Sequence, residues 1–249
     1  MKLFLIAVIR FLWRYINLFC SKISDFIYVN KCGICNCLTN KYALLCCKCW
    51  GTLIFVNKPY CSKCGKLFTV DIFENMICGW CLKHKPKYKY QRVLMKFNLS
   101  AKILIHKFKY YDTFHYGKYF AKIMYIRYLK NIEFDVIVPT PMHKKRRVFR
   151  QYNQIQVLGN YLAKISKKPL INTSLLKSKN TKQQSILGKK ARMSNLSGSF
   201  YVKDMYLIKN KCVLLVDDVI TTGSTIKNCT EVLLKNGAKE VIVLALCYT

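Results

Sequence analysis

Lys211-Cys-Val-Leu-Leu-Val-Asp-Asp-Val-Ile-Thr-Thr-Gly-Ser-Thr225 carries the topology of this 249-residue chain. Its first part, Lys211 to Val216, is short, continuous and rich in β-formers, the pattern of a strand covered on both faces of a parallel sheet. Asp217 to Thr225 is polar. The amphipathic segment that follows, with Ile226, Val232, Leu233 and Leu234, ends at Asn236-Gly237, as a helix ends on a glycine stop. Glu240 to Cys247 is a second apolar run of the same kind. Strand, polar loop, helix, strand is a βαβ crossover. Its loop lies at the carboxyl end of the sheet, where open α/β folds take their ligands. The fold class is α/β with a mainly parallel sheet.

That loop holds two chemistries side by side. Thr221, Thr222, Gly223, Ser224 and Thr225 bring hydroxyls and a glycine to a helix N-terminus, whose free N–H groups and positive dipole end receive phosphate. Asp217 and Asp218 repel phosphate but suit vicinal sugar hydroxyls or a Mg2+ ion. A phosphate site beside a diol site describes a sugar phosphate. Neither G-x-x-x-x-G-K-[ST] nor G-x-G-x-x-G occurs, so a P-loop and a Rossmann dinucleotide site are not indicated. The simpler alternative is a capped helix beside two solvated aspartates. The whole nine-residue pattern from Asp217 to Thr225, placed directly after a buried strand, argues against it.

Upstream, ten of the 14 cysteines fall between Cys32 and Cys81. Eight of them form four pairs with one spacing, Cys32 and Cys35, Cys46 and Cys49, Cys61 and Cys64, Cys78 and Cys81, which leaves Cys37 and Cys47 spare. Two thiolates two residues apart on a tight turn reach one Zn2+, and two such turns complete a tetrahedron, so the pattern predicts two structural four-cysteine zinc sites. The sites pair either sequentially or interleaved, with short loops favouring the sequential order; Cys47 is an alternative to Cys46. A disulfide framework is the competing reading. It needs an oxidising compartment, and the N-terminus shows no cleavable signal, because Arg10 and Arg14 interrupt its apolar run. The expected location is cytoplasmic. Residues 1–88 thus read as an N-terminal helix plus a double zinc-ribbon-like module, and 89–249 as the α/β domain.

The polar positions Arg10, Arg14, Asn17 and Ser21 recur at helical spacing, which fits a helix packed on the protein or one lying on a membrane surface, a peripheral membrane contact. No apolar run reaches the ~18 residues of a spanning helix. Charge is lopsided: 43 Lys and Arg against 11 Asp and Glu, a formal net charge of +32. With 52% hydrophobic and 14% aromatic residues, this is no disordered basic tail. Between Asp135 and Asp204 there are 15 basic residues and no acidic one; between Glu74 and Asp112 there are nine, interleaved with Tyr88, Tyr90, Phe97, Phe108, Tyr110 and Tyr111. Such stretches fit single-stranded nucleic acid, with cations for phosphates and rings for bases.

Two more segments belong to the α/β part. Phe134 to Val138 reads as a strand leaving through Pro139-Thr140-Pro141 into His143, Lys144, Lys145, Arg146 and Arg147, a basic run suited to pyrophosphate oxygens. Ser178 to Ser199 is polar and without period, and contains Gln183, Gln184, Arg192 and Asn195.

Val213 to Thr225 resembles the phosphoribosyl-pyrophosphate (PRPP) motif of type I phosphoribosyltransferases. The resemblance implies that Asp217 and Asp218 hold the ribose 2′- and 3′-hydroxyls as the catalytic acidic pair, with Mg2+, and that Thr221 to Thr225 hold the 5′-phosphate. It also implies a pyrophosphate loop at Thr140, His143, Arg146 and Arg147, and a closing flexible loop containing Gln184 and Arg192. The order of cysteine pairs, Leu104 to Asp112, Asp135 to Gln154, Lys179 to Phe200 and the PRPP motif resembles the ComF competence-protein family. That resemblance implies PRPP binding, single-stranded DNA handling during natural transformation, and other DNA-uptake proteins as partners. One position departs from it: Gln151 stands where the family usually has glycine, which removes a permissive backbone position. Two alternatives stay open: an active phosphoribosyltransferase (a glycosyltransferase of nucleotide salvage or synthesis), and a catalytically silent nucleic-acid-binding module.

Overall fold

The computed structural model describes residues 30–40, 43–70, 75–110, 114–141, 153–177 and 199–249. The expected N-terminal helix lies outside these residues, as do His143, Arg146, Arg147, Gln151, Gln184 and Arg192. Among the described residues no helix is long and apolar enough to cross a membrane. Packing divides the chain into two compact units, the break falling between Thr52 and Leu53.

The first unit contains a short antiparallel ladder, β1 (Asn30–Lys31) with β2 (Leu38–Thr39), and one short helix, α1 (Cys47–Gly51). Among its described residues Leu44, Leu45, Cys32 and Cys49 are buried.

The second unit runs α2 (Gly79–His84), β3 (Gln91–Lys96), α3 (Leu99–Tyr110), α4 (Phe114–Met124) with a π-helical turn at Tyr125–Leu129, β4 (Val136–Pro139), α5 (Gln154–Ser166), β5 (Leu175–Lys177), β6 (Phe200–Val202), β7 (Cys212–Ile220), α6 (Ser224–Lys235) and β8 (Glu240–Tyr248). Four strands form a parallel sheet in the order β3-β8-β7-β4. Each outer edge is extended by one bridge: Leu170 lies parallel to Ile137, and Phe55 antiparallel to Met95.

The central strands are apolar throughout because both faces are covered. Val213, Leu215, Val241, Val243, Val93, Val136 and Val138 join Ile226, Cys229 and Leu233 of α6 and Phe200 of β6 in one cluster. The alternate residues Leu214, Val216, Ile242, Leu244 and Leu246 are buried as well. Each such side chain stabilises the fold by about 1.5–3 kcal/mol. On the helical layer α4 approaches α5 closely at Gly117, where an added Cβ would stand 2.9 Å from Val157 Cγ1.

The expected boundary between residues 88 and 89 marks a change in composition, whereas the packing break lies earlier. The turn around Cys61 and Cys64 is bonded directly to β3: Gln91 N–H donates to Lys63 O at 2.7 Å, Gln91 Nε2 to Cys64 O at 2.8 Å, and Arg92 Nη1 to Ser62 O at 3.0 Å. Those bonds tie the second cysteine group to the sheet's edge.

Candidate functional site

The strand beginning at Cys212 is longer than its apolar run. The sequence ends it at Val216; in the structure pairing with β8 continues through Asp217 opposite Ala245, Val219 opposite Cys247 and Ile220 opposite Tyr248. The reason is the partner: β8 is apolar from Val241 to Cys247 and continues to offer backbone groups where β7 carries its two aspartates. Both aspartates therefore sit on a strand, where successive side chains take opposite directions.

Their surroundings differ accordingly. Asp217 is 7% exposed. Its Oδ1 accepts from Thr140 Oγ1 at 2.8 Å and from the Asp218 N–H at 2.9 Å. Burial, and then the neighbouring Asp218 charge, push its carboxyl up to about 7. Asp218 Oδ2 instead meets Lys109 Nζ of α3 at 2.8 Å and Gln154 Nε2 of α5 at 2.9 Å, while Oδ1 accepts from the Val219 N–H at 2.6 Å. Burial opposes its charge, but Lys109 and these donors outweigh it and hold its carboxyl below the usual range. Gln154 is buried, and its Oε1 has no hydrogen-bond partner among the described residues.

Asp217 lines a shallow, open cleft with Val219, Ile220, Thr221, Thr222, Gly223, Ser224, Thr225 and Ile226. The expected carboxylate and hydroxyl loop are thus together. Gly223 caps α6 with φ +73°, a left-handed conformation that glycine adopts without strain. Thr222 Oγ1 and Ser224 Oγ lie 2.8 Å apart, and the Ser224 N–H donates to Thr222 Oγ1 at 3.4 Å. A helix start rimmed by hydroxyls, with Asp217 among the lining residues, has the groups to receive a phosphate and a sugar hydroxyl. Asp218 is not among the cleft's lining residues, and its Oδ2 is engaged by Lys109 and Gln154. Thr140 lies near the site, but as the donor to Asp217. Lys109 and Gln154 are site residues that sequence reasoning passed over. Both fall in segments that resemble the ComF pattern, yet no local spacing links either of them to β7.

The cysteines assemble as two sequential groups, Cys32, Cys35, Cys46, Cys49 and Cys61, Cys64, Cys78, Cys81, each with its sulfurs within 4.8 Å of one another. Cys46, not Cys47, supplies the sulfur. The two groups repeat one construction. Asn36 N–H bonds Cys32 O, as Gly65 N–H bonds Cys61 O; Cys32 N–H bonds Cys37 O, as Cys61 N–H bonds Lys66 O. Asn36 and Gly65 take the same left-handed turn, and Cys46 and Cys78 each precede a short helix.

The sulfur separations test the fit to zinc. Cys35–Cys46 and Cys64–Cys78 are 3.7 Å and Cys61–Cys81 is 3.9 Å, against the about 3.8 Å edge of a tetrahedron with Zn–S near 2.3 Å. Burial opposes the charged form of Cys32 and Cys61, yet backbone N–H groups, including those of Cys46 and Cys78, bring their thiols down to about 6 and about 7. Cys49 and Cys64 are pushed up to about 12, by burial first and neighbouring sulfurs after it. A divalent cation among the sulfurs removes that penalty. The residues fit two closed structural zinc sites.

The aromatics in the acid-free stretches divide. Tyr88 and Phe108 are core, Tyr90 stacks on Arg92 at 4.6 Å, and Phe97 and Tyr110 are exposed; Tyr111 lies outside the described residues.

Comparison with known proteins places these features. A double zinc ribbon domain matches residues 23–82, and a phosphoribosyl transferase domain matches residues 156–249. The chain is 31% identical to competence protein F of Haemophilus influenzae over 198 residues, covering 76% of this chain and 84% of that protein. It is 26% identical to the DNA utilization protein YhgH of Escherichia coli K12, covering 78% of this chain and 86% of that protein. A solved glutamine PRPP amidotransferase from B. subtilis aligns at 16% identity with a TM-score of 0.40, covering 56% of this chain and 30% of that one. The chain belongs to the ComF competence-protein family, with a double zinc ribbon ahead of a phosphoribosyltransferase-type domain.

Proposed function

We propose that the chain binds PRPP or a related ribose phosphate together with Mg2+ at the end of β7, and that it handles single-stranded DNA during uptake in a ComF-type role. The observation that carries the first part is the cleft itself, which Asp217 and the five phosphate-suited residues Thr221 to Thr225 line together. Asp217 holds a ribose hydroxyl or the metal. The loop from Thr221 to Thr225 holds the 5′-phosphate. Asp218 joins when the ligand's charge draws Lys109 away. Mg2+ would supply charge neutralisation for the pyrophosphate; the carboxylates of Asp217 and Asp218 are the donors at hand for it.

The second part draws support from the names of the relatives, a competence protein and a DNA utilization protein, and from the net charge of +32. Backbone phosphates are the polyanion such a field attracts, and exposed Phe97 and Tyr110 provide faces for stacking.

Thermal unfolding tests the ligand. Saturating PRPP with Mg2+, at about 100 times its dissociation constant, should stabilise the wild type by about 2.7 kcal/mol. Ribose 5-phosphate should do so more weakly, and Asp217→Asn/Asp218→Asn should lose the effect. No shift in the folded wild type contradicts the reading. Affinity for a single-stranded oligonucleotide should fall steeply with salt and vary little with sequence; salt-insensitive or undetectable binding removes the DNA part.

A further inference from the structure

The first cysteine group has a neighbour that the second lacks. Cys37 is exposed, and its Sγ lies 3.3 Å from that of Cys35. It is also within hydrogen-bonding reach of Cys46. Sulfurs bound to one tetrahedral zinc stand about 3.8 Å apart, so Cys37 crowds the corner that Cys35 occupies. Within the group, Cys32 and Cys49 are buried and Cys46 is half-buried, whereas Cys35 is exposed. Cys35 is the ligand with an open path to leave. The repeated construction supplies a comparison inside the same chain: Lys66 takes the register of Cys37, its carbonyl accepting the same bond from the first cysteine of its knuckle. An ammonium there offers no ligand atom.

We propose that Cys37 is an exchange ligand of the first zinc site, taking the coordination place of Cys35. The site then has two four-thiolate sets that share Cys32, Cys46 and Cys49. The exchange balances without electron transfer: the Cys37 thiol gives up its proton as its sulfur bonds the metal, and the Cys35 sulfur takes up a proton as it departs. An incoming thiolate beside the leaving one opens an associative route for zinc to move out of this site. The second site, with Lys66 in that register, has no such route and holds its metal for longer.

Native mass spectrometry of the full chain counts the metal. Wild type and Cys35→Ser should each carry two zinc ions, whereas Cys32→Ser, Cys64→Ser and Cys35→Ser/Cys37→Ser should each carry one. A single ion in Cys35→Ser overturns the proposal, and so do two ions in Cys35→Ser/Cys37→Ser. Cys37→Ser keeps every primary ligand and tests the route without risk to folding. It should hold two ions; zinc transfer from wild type to a chromophoric chelator should show two phases, and Cys37→Ser should lose the faster one. An unchanged fast phase overturns the proposal. Alkylation reads the swap directly: iodoacetamide should modify Cys37 in zinc-loaded wild type and leave it protected in Cys35→Ser, and modification in both would contradict the exchange.

Discussion

Asp217 carries a carboxyl near 7 in the folded chain against 3.8 when unperturbed, so between those values the folded state holds a proton that the unfolded state has released. Stability should therefore fall as pH rises through that window and level off above it. Asp218 behaves oppositely: its contribution is present above its ordinary value and is lost as pH falls through the lowered folded value. Asp217→Asn keeps an oxygen for Thr140 and the Asp218 N–H, and it removes the buried charge. Its melting temperature should exceed that of wild type at pH 8 and decline less between pH 4 and 7; an unaltered pH profile contradicts the assignment. Lys109→Met leaves the Asp218 carboxylate unpaired, with its side chain 13% exposed, and should cost about 3–5 kcal/mol in denaturant unfolding. Adding Asp218→Asn should recover most of that loss, and strictly additive effects would show that the pair is not coupled. Asp217 and its hydroxyl neighbours were legible in the sequence because one strand, one loop and one helix place them. Gln154 was not, since it meets Asp218 across 64 residues of chain, and only the packing of α5 beside the sheet brings it there.

Two glycines separate conformational from steric demand at the level of elements. Gly223 has φ +73° with open space where a Cβ would stand, so Gly223→Ala meets backbone strain alone, about 1 kcal/mol. Gly65 has φ +70°, and its Cβ would lie 2.9 Å from the Gln91 carbonyl oxygen. Gly65→Ala should therefore cost clearly more in denaturant unfolding, and it should loosen zinc at the second site while Gly223→Ala leaves zinc untouched. Equal costs would contradict the close approach of the second knuckle to β3. The cysteine spacing showed both knuckles, since ligand geometry is local and repeats. It did not show that the second knuckle is hydrogen-bonded to β3, because backbone bonds between distant segments leave no periodicity. The same limit explains the strand at Cys212, whose two aspartates stay in the ladder through β8 rather than through their own hydrophobicity.

Across the whole molecule, metal and charge act on different parts. The first unit holds a closed four-cysteine group, and zinc bound to such a group contributes its binding energy to the fold of the unit that carries it. Chelation should unfold it, seen as full alkylation of Cys32 and Cys49, while amide protection persists in β7 and β8, which carry their own apolar core. Loss of protection in the sheet together with the first unit would contradict two separately stabilised units. The fold class and the strand–loop–helix of the candidate site could be read from composition and pattern, whereas the division after Thr52 required the packing. The central claim is that the end of β7 is a ribose-phosphate site, and calorimetric titration of PRPP with Mg2+ into the folded chain measures it most directly. Saturable one-to-one binding is predicted, weakened at least about tenfold, or about 1.4 kcal/mol, in Asp217→Asn/Asp218→Asn. Absence of binding by the wild type, or equal affinity in the substituted chain, would contradict it.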